Sequence, residues 1–316
     1  MWAVTIVDGK LEWREHADPE PGPLDLLVRV RAAGLCRGDV MQRDGLYPPP
    51  PGTAPPELPG IELAGEVVAA GAQCRRFRPG DRVMAVVAGA GQAQLAVVPE
   101  PLAIPVPDGV SWERAGGVPE NYTTAHDALF TQCGLAMGER ACIHGAAGGV
   151  GTAAVELAVA AGASVVATVR NPAHREAVAA LGARAVAPDG FGEAGPFDVI
   201  LELVGAVNME ANLRSLATGG RISIIGVGAG FKADVNLLAL MGARGRIHGS
   251  TLRARPLEDK AAAARAVERH VLPLLASGRL TVPLAATYPM PDAAAAYERF
   301  EAGGKLGKIV LLDTDA

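Results

Sequence analysis

Residues 141–151 read Ala-Cys-Ile-His-Gly-Ala-Ala-Gly-Gly-Val-Gly: an apolar strand, a glycine-rich turn, then an alanine-rich helix. From Ala146 the turn is A-x-G-x-x-G, one residue away from the dinucleotide-binding G-x-G-x-x-G. A turn with so little side chain lets the backbone N–H groups of Ala147, Gly148, Gly149 and Val150 approach a pyrophosphate, and the helix start adds the positive end of its dipole. A second apolar strand, Ser164–Val169, follows at the distance the pattern requires. A nicotinamide nucleotide is the ligand this arrangement points to.

The end of that second strand selects between two nucleotides. Sites for NAD place an acid there to bind the ribose 2′-hydroxyl. Here the position is Val169, followed by Arg170. An acid repels a 2′-phosphate, whereas an arginine binds one through two charge-assisted hydrogen bonds. Asn171 opens the next helix, as a cap or as a donor to the phosphate, and His174 and Arg175 stand one turn further on. The expectation is NADPH; the plainer alternative is that Arg170 and Arg175 are ordinary solvated charges. In a parallel sheet, ligands lie beyond the carboxyl ends of the strands. Val204-Gly205 and Gly226-Val227, which end two later strands, should therefore flank the ribose and nicotinamide.

The elements that must hold these residues fall into two kinds. The first 120 or so residues are rich in proline and glycine, with strand-length runs at Leu26–Ala33, Ile61–Ala69, Arg82–Val87 and Gln94–Val98, which reads as a small β domain. From about Asn121 strands and helices alternate. Strands are expected at Arg140–His144, Ser164–Val169, Arg184–Ala187, Phe197–Leu203, Arg221–Gly226 and Arg246–Ser250, with helices at Gly149–Ala161, Pro172–Leu181 and Met209–Leu216. Such alternation implies a doubly wound parallel sheet in an α/β fold. A helix over Asp259–Ala276 leads back to the β domain, which Leu284–Thr287 and Lys308–Leu312 complete.

Composition removes several function classes. The 316 residues are 49% apolar and 20% charged, as in a well-packed globular chain, and the net charge of −5 offers no basic footprint for nucleic acid. The four cysteines form no C-x-x-C pair and read as reduced thiols in a cytoplasmic setting. No export signal is visible at Met1–Thr5. Ala146–Val169 carries one charge, Glu156, but its glycines divide it into turn, helix, loop and strand, so no membrane span is expected.

The chain resembles the medium-chain dehydrogenase/reductase superfamily, in particular its zinc-free, zeta-crystallin-like NADPH:quinone oxidoreductases, and among these the tumour-suppressor-inducible branch. The resemblance is carried by Gly38–Arg43 with Gly45–Pro50, by Pro79-Gly80-Asp81-Arg82-Val83, by Gly91–Gln94, by His144–Gly151, by Ser250–Arg255 and by Leu306–Leu311. It implies a GroES-like β domain (1–121 and 272–316) around a Rossmann domain (122–271), NADPH as cofactor, and a homodimer. It also implies a Thr124 beside the nicotinamide, a cofactor contact from Ser250 to Leu252, and a Lys305 reaching the cofactor from the β domain. Thr124 also reads as a plain helix-start hydroxyl, and Lys305 as an exposed turn residue. One departure stands out: only Asp189–Pro196 remains where relatives carry a helix, and Pro188 replaces a tyrosine that helps hold the adenosine phosphate.

The same superfamily contains zinc alcohol dehydrogenases. Cys36 falls on their first thiolate ligand and Glu62 on the Glu of their Gly-His-Glu motif, but the His is missing and no third ligand appears near Asn121–Thr124. Catalytic zinc takes three protein ligands and an open position, so no metal is expected. Cys36 is then either a small buried hydrophobe or a thiol lining the substrate cleft. Asp39, one turn on, is a cleft-floor carboxylate or a structural cap. Tyr47, in the Gly-Leu-Tyr-Pro-Pro-Pro loop, either packs that loop or stacks on a flat substrate and donates to a developing oxyanion. The expected reaction is hydride transfer from NADPH to a small-molecule quinone or related electron-poor conjugated carbonyl. The alternatives are an enal, enone or enoyl-thioester reductase and, in another class, a non-catalytic NADPH-binding sensor or structural protein.

Overall fold

The computed structural model describes residues 1–313. The chain opens with a hairpin, β1 (Trp2–Val7) and β2 (Lys10–Glu15). Its turn is Asp8-Gly9, both at positive φ (48° and 75°), the pairing that suits the twist of a two-residue hairpin. The antiparallel core follows: β3 (Asp25–Leu35), the short helix α1 (Arg37–Arg43), β4 (Glu62–Ala70), β5 (Arg82–Val86), β6 (Leu95–Pro99) and β7 (Ile104–Pro105). Strand β3 pairs with both β4 and β6 and alternates buried with less buried residues along its first half.

The middle of the chain is the parallel sheet. It contains β8 (Arg140–Ile143), α2 (Gly149–Ala160), β9 (Ser164–Thr168), β10 (Arg184–Val186), β11 (Phe197–Glu202), α3 (Met209–Arg214), β12 (Leu216–Ile224), α4 (Leu237–Ala243) and β13 (Arg246–Gly249). The strand order is β10-β9-β8-β11-β12-β13, so the winding reverses between β8 and β11. A crevice opens at such a reversal, outside the carboxyl ends of the strands. Cys142, Phe197, Ile200 and Ile222 sit at the centre of this unit's core. Helix α5 (Leu257–His270), β14 (Leu284–Pro289), α6 (Ala293–Glu301) and β15 (Lys308–Leu312) then return to the β unit, where β15 runs antiparallel to β3 with Ile309 opposite Leu35.

The chain divides into two compact units: residues 1–123 with the segment from Leu252 onward, and residues 124–251. The expected boundary at 271 thus moves to 251. Helix α5 belongs to the β unit because Ala264 and Val267 are buried and Arg265 donates to the Ala103 carbonyl. Two expected helices are each broken. Pro172–Leu181 becomes a 3₁₀ turn at Pro172–His174 followed by a helix at Arg175–Ala179, and Asp259–Ala276 is interrupted at Val271, next to a second helix carrying Pro273 in its first turn. Strand β12 starts at Leu216, earlier than expected, and the helix before it ends at Arg214. Among the described residues no helix is long and apolar enough to cross a membrane.

Candidate functional site

In the parallel-sheet unit, β8 ends at Ile143 and the chain turns through Gly145, at φ 63°, into α2. Gly151 explains why the turn is so tight: a Cβ there would lie 2.6 Å from the Ala146 Cα. Ala147, Gly148, Gly149 and Val150 are half-buried, no side chain caps α2, and its first turn contains no acid. This is the donor set and shape that a pyrophosphate requires. The Gly226 position, too, has no room for a side chain, since a Cβ there would lie 3.0 Å from the Leu203 Cα. Val204 and Gly205 form the turn after β11, and Val227 is exposed.

Around the end of β9 no acid intervenes. Val169 is buried and Arg170 is exposed. Asn171 accepts the Ala173 N–H through its side chain (3.1 Å), so it caps the 3₁₀ turn and keeps its amide N–H₂ for other partners. The Arg175 Nε donates to the Val169 carbonyl (3.2 Å), which brings it back beside the same strand end. Where relatives carry a helix, the chain makes one 3₁₀ turn, Phe191–Ala194; Phe191 is buried with its ring edge-on to His144, and Pro188 is exposed. The Ser250 hydroxyl donates to Asp127 (3.3 Å). Thr124 lies inside the helix Pro119–His126 rather than at its start, which removes the helix-start reading of its hydroxyl. Leu252, grouped with the cofactor residues in sequence, belongs to the β unit and lines a small cavity with Val86, Leu102, Thr123 and Lys260.

The β unit is organised by charge that it keeps inside. Asp39 is fully buried and both its oxygens are taken: Oδ2 accepts the Cys36 N–H (2.8 Å), and Oδ1 accepts those of Gly60 and Ile61 (3.1 Å each). It is a clamp that ties the start of α1 to the Gly60–Ile61 loop, which corrects its expected place among the catalytic side chains of the cleft floor: Asp39 is structural. Cys36 is buried at the same helix start; burial, then the neighbouring Asp39 and Glu120 charges, push its thiol well up, so it carries no thiolate. Tyr47 is half-buried beneath the Arg253 guanidinium, 5.0 Å from the ring centroid. Burial raises its phenol despite the pull of Arg253, so the O–H keeps its proton at neutral pH and is a donor.

Two residues that sequence reasoning missed dominate this unit. Arg253 is buried and donates to the Ala88 carbonyl (2.7 Å), the Tyr47 carbonyl (2.7 Å) and the Gln42 side chain (2.6 Å), gathering three segments. Lys308, at the start of β15, is 2% exposed, and its ammonium pairs with Glu62, approaches Glu120 (3.8 Å) and donates to Asn121 (3.2 Å). Burial opposes the Lys308 charge, but Glu62 and Glu120 outweigh it and hold the amine above the ordinary lysine range. Burial likewise pushes the Glu62 carboxyl up against the pull of Lys308. A side chain at position 34 would collide with the Glu62 carboxylate, which is why β3 has Gly34 there. The sequence did hold a signal: a lysine opening the otherwise apolar run Lys-Ile-Val-Leu-Leu needs a buried partner. Glu62 is thus committed to an ion pair, and among the described residues no three His, Cys, Asp or Glu side chains gather as metal ligands. Lys305 donates to the Gly307 carbonyl (3.0 Å) and lies over the Phe300 ring; burial, then the Lys308 and Arg299 charges, lower its amine to about 8.

These features define a dehydrogenase fold in two parts, and the comparisons agree. Residues 22–132 match the alcohol dehydrogenase GroES-like domain, and residues 165–311 match the zinc-binding dehydrogenase family. The chain belongs to the medium-chain dehydrogenase/reductase superfamily and is an oxidoreductase of that family, whose members bind a nicotinamide cofactor on a Rossmann domain. Within it the chain is 30% identical over 315 residues to a quinone oxidoreductase of Pseudomonas aeruginosa, covering 96% of this chain and 95% of that one. It is also 35% identical over 300 residues to the spectinabilin polyketide synthase system protein NorB of Streptomyces orinoci, but spans only 13% of that protein's length. Among solved structures, a mycobacterial protein complexed with NADPH superposes with a TM-score of 0.87 at 25% identity, covering 99% of this chain and all of that one. The quinone oxidoreductase of Pseudomonas syringae gives 0.83 at 28%, over 98% of each chain.

Proposed function

We propose that this protein is an NADPH-dependent reductase that delivers hydride to a quinone or a related electron-poor conjugated carbonyl, without zinc. The observation that carries the acceptor class is the commitment of the buried acids in the β unit, Glu100 among them through the N–H groups of Arg75, Arg76 and Phe77. Asp39 is saturated by backbone N–H groups, Glu62 by Lys308, and Cys36 keeps its proton. Reduction of a quinone leaves a stabilised anion that water protonates, so a reaction of this kind needs no strong general acid. Tyr47 supplies what remains useful: a flat ring to stack on and a protonated phenol to donate to the developing oxyanion.

Bound NADPH supplies the hydride itself. The backbone N–H groups of Ala147–Val150 bind its pyrophosphate, and Arg170 with Asn171 and Arg175 binds the 2′-phosphate. Val204, Gly226 and Val227 would hold its ribose and nicotinamide, and the family resemblance adds Thr124, Ser250 and Lys305 as residues that would contact it. The absence of an acid at the end of β9, next to an exposed Arg170, supports NADPH over NADH.

A second reading, an enoyl-thioester reductase, has its own support in the similarity to polyketide synthases. That reaction ends in protonation of carbon, so Tyr47 would have to give up its proton and not only share it. Oxidation of NADPH measured in parallel with benzoquinone, phenanthrenequinone, an unsaturated aldehyde and crotonyl-CoA separates the two, with NADH as the control cofactor. Turnover with quinones is expected; turnover with crotonyl-CoA alone transfers the protein to the second reading.

The homodimer belongs to the same proposal. Phe231, Leu237, Leu238 and Met241 are 67–80% exposed around α4, next to β13 at the sheet edge. A cluster of large apolar side chains at an open edge is suited to burial against a second copy. Light scattering of L238D tests it: the native chain is expected at twice the monomer mass and the variant at the monomer mass.

A further inference from the structure

The parallel-sheet unit contains a buried polar network that joins four strand ends. Glu202, the last residue of β11, is fully buried. Its Oε1 accepts the N–H groups of Val204 (2.7 Å) and Gly205 (2.8 Å), folding the turn after the strand. Its Oε2 accepts the Asn212 amide (2.8 Å), and the Asn208 amide bridges both oxygens (3.3 and 3.1 Å). The backbone carbonyl of Glu202 holds Ile225 and Gly226 at the end of β12 (2.9 and 3.1 Å). Asn212 then meets the His144 Nε2 through its Oδ1 (2.8 Å), and the His144 Nδ1 meets the Thr168 hydroxyl (3.1 Å). His144 follows β8 and leads into the glycine turn; Thr168 is the last residue of β9, two before Arg170.

The direction of this chain is fixed from the carboxylate end. A carboxylate only accepts, so Asn212 gives its N–H₂ to Glu202 and presents its oxygen to His144. The imidazole must then carry its proton on Nε2, which leaves Nδ1 to accept the Thr168 O–H. Burial lowers the imidazole's basicity and keeps it neutral. Every polar group in the line has a partner of the correct sense, which is the condition for a buried network to rigidify what it joins.

We propose that Glu202 is the positioning residue of the nucleotide site. Its carboxylate shapes the Val204–Gly205 turn and, through Asn212 and His144, locks that turn to the glycine turn and to the strand end that carries Arg170. The inference rests on the reading that this unit binds NADPH. It adds that the nicotinamide side of the site depends on Glu202 directly, through the Val204–Gly205 turn, whereas the adenosine-phosphate side is reached only through the relay of Asn212, His144 and Thr168.

The test is E202Q, which replaces the carboxylate by an amide of the same shape. With its oxygen retained by Val204 and Gly205, the new amide must donate to Asn212. Asn212 then turns over, its N–H₂ faces His144, and the imidazole proton moves to Nδ1. Nitrogen NMR of the labelled imidazole should therefore report the Nε2–H form in the native protein and the Nδ1–H form in E202Q. Calorimetry should show NADPH affinity reduced on the order of tenfold, since charge-assisted bonds become neutral ones. Affinity for 2′,5′-ADP, which lacks the nicotinamide half, should fall by about twofold or less, because Glu202 reaches that side only through the relay. N208A, a milder change at a half-buried residue, should weaken NADPH by about threefold and spare 2′,5′-ADP. Equal weakening of both ligands would reduce Glu202 to a structural role and overturn the proposal. So would a histidine that stays Nε2–H with both affinities intact. A native protein that binds no NADPH would bring down the functional reading as well, whereas native binding matched by E202Q sinks this inference alone.

Discussion

Both units bury a charged network, but they differ in the charge they leave open. The β unit turns its buried Lys308, Glu62, Asp39 and Arg253 on one another and on its own backbone. The parallel-sheet unit leaves Arg170 in solvent and exposes the uncapped start of α2. The β unit consumes its polar groups to hold loops in place; the parallel-sheet unit does the same around Glu202 but also keeps donors open at its strand ends. An oxidoreductase that binds a polyanionic nicotinamide cofactor needs the second kind of surface.

If the β unit's charges are structural, breaking one should cost stability before anything else. K308M leaves Glu62 buried without its cation and is expected to lower unfolding free energy by about 3–5 kcal/mol, read from urea denaturation. The same pair sets a pH limit. The Lys308 amine is raised by Glu62 and Glu120, so its contribution is complete below the usual lysine pKa and fades as pH climbs beyond it. A stability curve flat through that alkaline range would contradict the pairing. Next in size comes the open surface: R170E should raise the KM for NADPH about a hundredfold and leave that for NADH nearly unchanged. Equal effects on both cofactors would remove the 2′-phosphate from Arg170.

Smaller effects sharpen the contrast. Y47F is expected to lower kcat with a quinone by about fivefold, the worth of one hydrogen bond to a developing charge. A much larger loss with crotonyl-CoA would mark Tyr47 as a true proton donor. Smallest of all is K305M. The Lys305 amine is lowered to about 8, mainly by burial, so between there and the ordinary lysine value the unfolded chain binds more protons and native stability rises with pH. Removing the amine should therefore stabilise the protein most below pH 8 and make no difference at strongly alkaline pH. Thermal melts of both forms across that range check the sign.

The same contrast explains what could be read from sequence. The glycine turn was legible because its requirement is local: no side chain fits at Gly151, and the residues that matter are consecutive. The acid-free end of β9 was legible for the same reason. The Lys308 cluster was not, because Glu62 and Lys308 are brought together only by the pairing of β15 with β3 and of β3 with β4, and Glu120 joins them through its N–H on the Glu62 carboxylate (2.9 Å). Glu62 was seen only as a zinc ligand left without its partners. Arg253 was quoted within a motif but had no role until Gln42, Tyr47 and Ala88 surrounded it. The opening hairpin has its own local signal, the Asp8-Gly9 turn between the apolar run Trp2–Val7 and the alternating run Lys10–Glu15.

The pairing of β15 with β3 has a consequence for the order in which the molecule assembles. Residues 124–251 form an uninterrupted unit, so their parallel sheet has all its strands as soon as that stretch has left the ribosome. The β unit must wait. Glu62 is synthesised almost 250 residues before the lysine that neutralises it, and β3 keeps an edge open until Ile309–Leu312 arrives. A growing chain therefore carries a finished parallel-sheet unit while the other still lacks the strand and the lysine that complete it.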